Sequence, residues 1–289
     1  MYLTDFTPSS EYEIQSFGRL KISEFKKLSK KIYKLCGIQL PDIKLSMVEG
    51  RLRKRVKTLG LNSFGDYMNY LFSSPGMEQE LIPLIDAVTT NKTDFFRESI
   101  HFDFLLNTVL SELETPAFGT FSAWSAGCST GEEAYTLAIV LNEYFENKKN
   151  INFTIYASDI STDVLKKAID GIYSFETVEV IPMDLKKKYF LKSKDPEKHV
   201  ARIRPELRQQ VIFSRINFME PEYEIPENLD VVFCRNVLIY FDKETQAKVL
   251  YKICNKIKKG GFLFIGHSET IQGMDLPLKR AAATIYRRV

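Results

Sequence analysis

The spacing of apolar and polar positions changes character along the chain. In the first part the period is helical. Ile22, Phe25, Leu28, Ile32 and Leu35 recur in steps of three and four, which predicts an amphipathic helix with Ser23 as a cap near its start and Gly37 at its end. Leu45, Val48, Leu52 and Val56 line one face of a second helix over 44–58, with Arg51, Arg53, Lys54 and Arg55 around it. A third short helix is expected over 63–72. Ser74-Pro75 supplies a cap and a first-turn proline for a fourth. Residues 1–88 therefore read as a small helical domain.

Beyond that point the pattern alternates. Residues 100–113 read as helix. Then come strand 120–125, helix 132–146, strand 152–157 and helix 162–170, followed later by strand 229–234, helix 243–257, strand 261–266 and a last strand in AATIYRRV. Alternating strands and helices predict an α/β fold with a doubly wound, Rossmann-like sheet over 89–289. Residues 172–215 interrupt the rhythm with short, charged, β-like runs, HVARIR at 199–204 and QVIFSRI at 210–216. They predict a small inserted β-subdomain. Thr130 to Glu133 fits a capping box, Ser161 and Asp242 fit N-caps, and Gly171 fits a helix stop.

Composition narrows the class. No apolar run approaches the roughly 20 residues that span a bilayer. The opening MYLTDFTPSS has an acid and no basic segment, so no signal peptide is expected. Cys36, Cys128, Cys234 and Cys254 show no CxxC spacing, which points to a reducing, cytoplasmic setting and away from a zinc site. His101, His199 and His267 are too scattered to predict a metal centre or a Ser-His-Asp triad. Net charge is +3, unevenly spread: residues 19–57 hold thirteen basic side chains against three acids, a local charge of +10 that leaves −7 elsewhere. The basic helices should meet an acidic partner. With a pI near 8.5 and no interleaving of aromatic and basic residues, nucleic acid is not expected. Nothing predicts an obligate oligomer.

In doubly wound sheets ligands bind beyond the carboxyl ends of the strands. Those positions here hold SAGCSTGEE (125–133), Asp159, and Arg235, Asn236 and Val237, with Tyr240 one turn on. An acid at the end of the second strand suits ribose hydroxyls. The loop lacks GxGxxG, and Glu132 and Glu133 at its mouth would repel a pyrophosphate. This disfavours a nicotinamide-dependent oxidoreductase. A ligand with positive charge and no phosphate, such as S-adenosylmethionine, fits the acids. Glu133 has the capping role open to it, and Asp159 could instead cap the following helix.

Five segments, TTNKTDFFRE (89–98), WSAGCSTGEEAYTLA (124–138), ASDIS (157–161), FCRNVLIYF (233–241) and KKGGFLFIGHSE (258–269), closely resemble the CheR family of chemotaxis receptor methyltransferases. The resemblance spans nearly the whole chain. It implies a methyltransferase that moves the methyl group of S-adenosylmethionine to glutamate carboxylates of chemoreceptors, leaving S-adenosylhomocysteine. It implies that Asn91, Thr93 and Arg97 line the cofactor and transfer site. Glu132 would hold the methionine amino group, Asp159 the ribose, Asn217 and Phe218 the adenine flank, and Asn236 and Val237 a further contact. Tyr240 would lie near the transferred methyl. Arg97 and Tyr240 are the expected catalytic residues, and the basic N-terminal helices are expected to meet the acidic receptor bundle. The segment 191–199 has no glycine, unlike family members that dock on a receptor's terminal peptide, so such tethering is not expected. The alternative from another class is a turnover-deficient module that senses the cofactor.

Overall fold

The computed structural model describes residues 17–112, 119–146, 148 and 151–289. The chain divides into two compact units, one ending at Thr90 and the other beginning at Asn91.

The first unit is helical: Ile22–Cys36, Leu45–Thr58, Phe64–Leu71 and Ser74–Val88, with a 3-10 turn at Asp42–Lys44. Most of the predicted apolar stripe forms its core, with Phe25, Leu28, Ile32, Val48, Leu52 and Val56 all buried, whereas Ile22, expected on the same face, is exposed at the start of its helix. Two caps differ from expectation. Ser23 lies inside its helix, where the Lys21 N–H donates to Glu24 Oε2 at 2.9 Å. The fourth helix is capped by Ser73, not Ser74, because the Ser73 hydroxyl is the one placed to accept the Gly76 N–H. The arginines expected around the second helix turn to internal partners. Arg51 donates to the Val88 and Thr89 carbonyls at the end of the last helix. Arg53 pairs with Glu49. Arg55 grips both oxygens of Glu80 at 2.7 Å, and Glu80, only 1% exposed, also accepts from the Tyr67 hydroxyl.

The second unit is built on a seven-stranded sheet. Its strands are β1 (Gly119–Ala126), β2 (Ile151–Asp159), β6 (Val211–Arg215), β7 (Leu229–Cys234), β8 (Ile257–Ile265), β9 (Leu278–Ala282) and β10 (Ile285–Arg288), in the order β6-β2-β1-β7-β8-β10-β9. The five strands from β6 to β8 are parallel, and β10 and β9 add an antiparallel edge. β7 is buried at every position, as a strand covered on both faces must be. The chain winds outward from β1 to β2 and β6, then returns to β7, so the order reverses between β1 and β7. Register pairs Ser125 with both Ala157 and Phe233, and Phe233 with Phe264. The carboxyl ends of β1, β2, β7 and β8 therefore meet along one edge.

Helices Glu132–Phe145, Thr162–Asp170 and Lys243–Lys256 follow β1, β2 and β7. The helix expected over 100–113 is Ile100–Phe104, then a π turn Leu105–Val109, then Leu110–Glu112. The inserted sheet is β3 (Ile172–Ser174), β5 (Val200–Ile203) and β4 (Phe190–Lys192), antiparallel with β5 central. Residues 211–215, expected with the insertion, instead form β6, parallel to β2 with Asp159 opposite Arg215. A short β-like run reads alike at either position, and the pairing with β2 is what distinguishes them.

The Arg55–Glu80 pair generates a stability prediction. Arg55→Met leaves a buried carboxylate without its cation and should cost roughly 2–4 kcal/mol in urea unfolding of the full chain, and adding Glu80→Gln should recover part of the loss.

Candidate active site

The loop after β1 is shaped by close approach. Gly127 and Gly131 have φ of 93° and 97°. A Cβ on Gly127 would lie 2.3 Å from Val237 Cγ2, and one on Gly131 would lie 2.9 Å from Ala168 Cβ. Glycine is thus what lets the β1 loop close on the β7 loop. Between the two glycines Ser129 is held at φ 50°. Its N–H donates to Asp159 Oδ2 at 2.9 Å, and its hydroxyl donates to the Asn91 carbonyl at 2.8 Å. Asp159 Oδ1 accepts from the Ser161 N–H at 3.0 Å. Asn91, Asp159 and the glycine loop are in this way joined at one residue.

The expected capping box is not formed. Gly131 is left-handed and the helix begins one residue later, with no side-chain cap. Thr130 Oγ1 donates instead to Glu132 Oε2 at 2.6 Å. Glu133 turns inward, accepting from Ser125 Oγ at 2.6 Å and pairing with Arg235 Nη1 at 3.1 Å. Burial pushes both carboxyls above the usual range, against the Thr130 hydrogen bond at Glu132 and against the charge of Arg235 at Glu133. Cys128, wholly buried beside Asp159 and Glu133, is held well up as a neutral thiol.

The segment carrying Asn91, Thr93 and Arg97 packs on the start of helix Glu132–Phe145. The Phe96 N–H donates to Thr136 Oγ1 at 3.1 Å, and the Phe95 ring lies edge-on to Tyr173 and Phe190. Thr93 and Arg97 are half-buried, and Arg97 Nη1 donates to the Lys92 carbonyl at 2.9 Å. The residues on either side of Arg97 are strained: Phe96 and Glu98 both have φ 54°. Such conformations cost of order 1–3 kcal/mol each and persist where their surroundings over-determine them. Here the surroundings include Arg235. Its guanidinium donates to the Arg97 carbonyl, pairs with Glu98 at 3.1 Å, and lies over the Phe102 and Phe233 rings. Burial resists ionisation of Glu98, yet Arg235 and the His267 N–H together bring its pKa below the usual range.

Asn236 (φ 58°) and Val237 sit where β7 ends, and Tyr240 is half-buried in the 3-10 turn Leu238–Tyr240. This loop hangs on Glu269. Oε2 of that buried carboxylate accepts from the Asn236 and Gly266 N–H groups at 3.0 and 2.6 Å, and Oε1 from Leu238 at 2.7 Å. Burial raises the Glu269 pKa while the backbone donors oppose it. On the other side, the Ile216 N–H reaches the Asp159 carbonyl, which brings Asn217 and Phe218 beside β2. Asn217 Oδ1 accepts from the Met219 N–H. The Phe218 ring is 8% exposed and packs on Trp124, Tyr223 and Phe241, so most of it serves the core.

One group among the described residues has metal-ligand spacing: Glu98, His101 and His267 bring their ligand atoms within 4.8 Å of one another. The Arg235 guanidinium already neutralises that carboxylate, and a dication there would face it at short range. Burial, reinforced by Arg235, holds His101 down at about 4, so it is neutral at pH 7.

Sequence reasoning assigned no role to Arg235, Glu98 or Glu269. The signal available was an arginine directly after the unbroken apolar run LDVVFC, a charge that must be buried and therefore partnered. Glu269→Gln replaces acceptors with an amide that can satisfy only part of this donor set. It should destabilise the second unit by about 2 kcal/mol and speed amide exchange at Leu238 and Gly266, read by thermal unfolding and hydrogen exchange.

Comparison with known proteins identifies the family. Residues 23–89 match the model of the CheR methyltransferase all-alpha domain, and residues 91–287 match that of the CheR methyltransferase SAM binding domain. The chemotaxis protein methyltransferase of Borreliella burgdorferi is 42% identical over 86% of this chain and 89% of its own length. That of Salmonella typhimurium is 36% identical over 98% of both chains. Chemotaxis protein methyltransferase 2 of Pseudomonas aeruginosa is 39% identical over 97% of this chain and 98% of its own. With an acid-rimmed glycine loop at the switch point of a doubly wound sheet and both domain models matched in order, the chain belongs to the CheR family of S-adenosylmethionine-dependent methyltransferases.

Proposed function

We propose that this enzyme esterifies glutamate side chains of chemoreceptors, the adaptation chemistry its relatives' names suggest. The observation that carries the reading is the set of carboxylates around the glycine loop, with no lysine or arginine in 125–133. That loop suits an ammonium- and sulfonium-bearing ligand and would repel a phosphate. Asp159, at the end of β2 and bonded to the glycine loop through the Ser129 N–H, takes the ribose hydroxyls. Glu132, bonded to Thr130, takes the methionine amino group, since Glu133 is committed to Arg235. Asn91 and Thr93 line the methionine side. Asn217 and Phe218 flank the adenine, and Asn236 and Val237 close the site from β7. No observation favours the turnover-deficient sensing module.

S-adenosylmethionine supplies an electrophilic methyl: a C–O bond forms, the C–S bond breaks, and no proton moves. A glutamate with a pKa of about 4.3 is already ionised at neutral pH, so no general base is needed. The chain's task is to hold the carboxylate in line without quenching it. Arg97 orients that carboxylate and Tyr240 positions the methyl end. Tethering by a receptor peptide is not part of this reading.

The partner surface is narrower than charge counting implied, because Arg51, Arg53 and Arg55 are engaged within their unit. The exposed cations are Arg19 and a set of lysines, among them Lys30, Lys34 and Lys54. They would steer association with an acidic helical bundle. No helix among the described residues is long and apolar enough to cross a membrane. Four free, buried cysteines suit a reducing, cytoplasmic setting, and the enzyme is read as a monomer.

Arg97→Ala should lower kcat roughly tenfold to a hundredfold while leaving S-adenosylhomocysteine affinity within about threefold, by steady-state kinetics and calorimetry; equal loss of both would remove the orienting role. Asp159→Ala should weaken S-adenosylhomocysteine binding roughly tenfold or more in the same titration, with NAD as a control that does not bind. Initial methylation rates on a receptor fragment should fall as salt rises from 50 to about 300 mM, and Lys30→Glu with Lys34→Glu should flatten that dependence.

A further inference from the structure

We propose that Arg235 is a positioning residue for methyl transfer, acting through Arg97. The proposal rests on the reading of Arg97 given above. Arg97 stands between two non-glycine residues at φ 54°, a turn that the local chain would not adopt unaided. Arg235 binds that turn directly. Its Nη2 donates to the Arg97 carbonyl, while Nε and Nη2 both reach Glu98 Oε2, at 3.3 and 3.1 Å. The third nitrogen, Nη1, holds Glu133 Oε2 at 3.1 Å, on the first turn of the helix that follows the glycine loop. Asn236, next in sequence, extends its amide toward Glu98 Oε1 at 3.5 Å. The Arg235 side chain is 2% exposed, and its guanidinium sits against the Phe102 and Phe233 rings.

A fork with three directed nitrogens can bind the Arg97 carbonyl, Glu98 and Glu133 at once, whereas an ammonium concentrates its charge at one point. Arg235 thereby ties the segment that presents Arg97 to the helix that carries Glu132. Together with the Phe96 N–H to Thr136 Oγ1 bond, this buried side chain sets the distance between the proposed substrate clamp and the proposed amino-group ligand. Arg235 does not itself need to touch either reactant.

The test is a kinetic cycle in the full-length enzyme with a receptor fragment as substrate, using Arg235→Lys, Arg97→Ala and the double variant. Thermal unfolding and S-adenosylhomocysteine titration are run on each. Arg235→Lys is expected to lower kcat roughly tenfold or more with S-adenosylhomocysteine affinity within about threefold. In the Arg97→Ala background the same change should lower kcat by less than about twofold, because the group being positioned is gone. Losses that multiply, or a parallel loss of S-adenosylhomocysteine affinity, would overturn the positioning role and leave the Arg97 reading standing. An Arg97→Ala enzyme with unchanged kcat would instead remove the Arg97 reading and this inference with it. Should Arg235→Lys fail to fold, Glu98→Gln, which weakens the same grip while leaving Arg235 paired to Glu133, enters the cycle in its place with the same expected pattern.

Discussion

A guanidinium buried between two carboxylates is the constraint around which the catalytic unit is arranged. Taking a charge out of water is expensive unless it is paired and hydrogen-bonded. Arg235 meets that condition only if Glu98, Glu133 and the Arg97 carbonyl all converge on it. Three separate segments must therefore reach their final positions together: the strained turn after Asn91, the first turn after the glycine loop, and the end of β7. The Phe102 and Phe233 rings, stacked on each other, exclude water from the same place.

Carboxylates elsewhere in the site serve the backbone. Asp159 accepts from the Ser129 and Ser161 N–H groups, and Glu269 accepts from Asn236, Leu238 and Gly266. Loops at the ends of parallel strands leave N–H groups with no ladder partner, and a buried one must find an acceptor. Supplying these acceptors from acids fits the chemistry the enzyme performs. It lines the site with acceptors and negative charge, suited to a cationic cofactor, while methyl transfer to an ionised carboxylate demands no base.

Much of this was legible in the sequence. Helical period marked the core of the first unit, because a helix that buries one face must place apolar residues three and four apart. Alternation of strand and helix implied the doubly wound sheet, and the edge where ligands bind follows from that topology. Asp159 and the glycine loop were found by that route. The family resemblance then supplied Asn91, Thr93, Arg97, Asn217 and Phe218, which no periodicity singles out.

What the sequence by itself determined was local: which segments form helices and strands, which faces they bury, and that the loop after β1 carries acids. Tertiary structure decided the partnerships. Glu133 reads as a capping residue until Gly131 takes a left-handed conformation and Arg235 arrives from about a hundred residues away. Residues 211–215 read as part of the insertion until they pair with β2. The arginines of the second helix read as a docking face until Glu49, Glu80 and the carbonyls at Val88 and Thr89 take them. Apart from Arg53 and Glu49, which lie four residues apart on one helix, each is a choice among partners distant along the chain. Such choices are set by which strands and helices become neighbours, and that information lies in the packed fold rather than in any local stretch of residues.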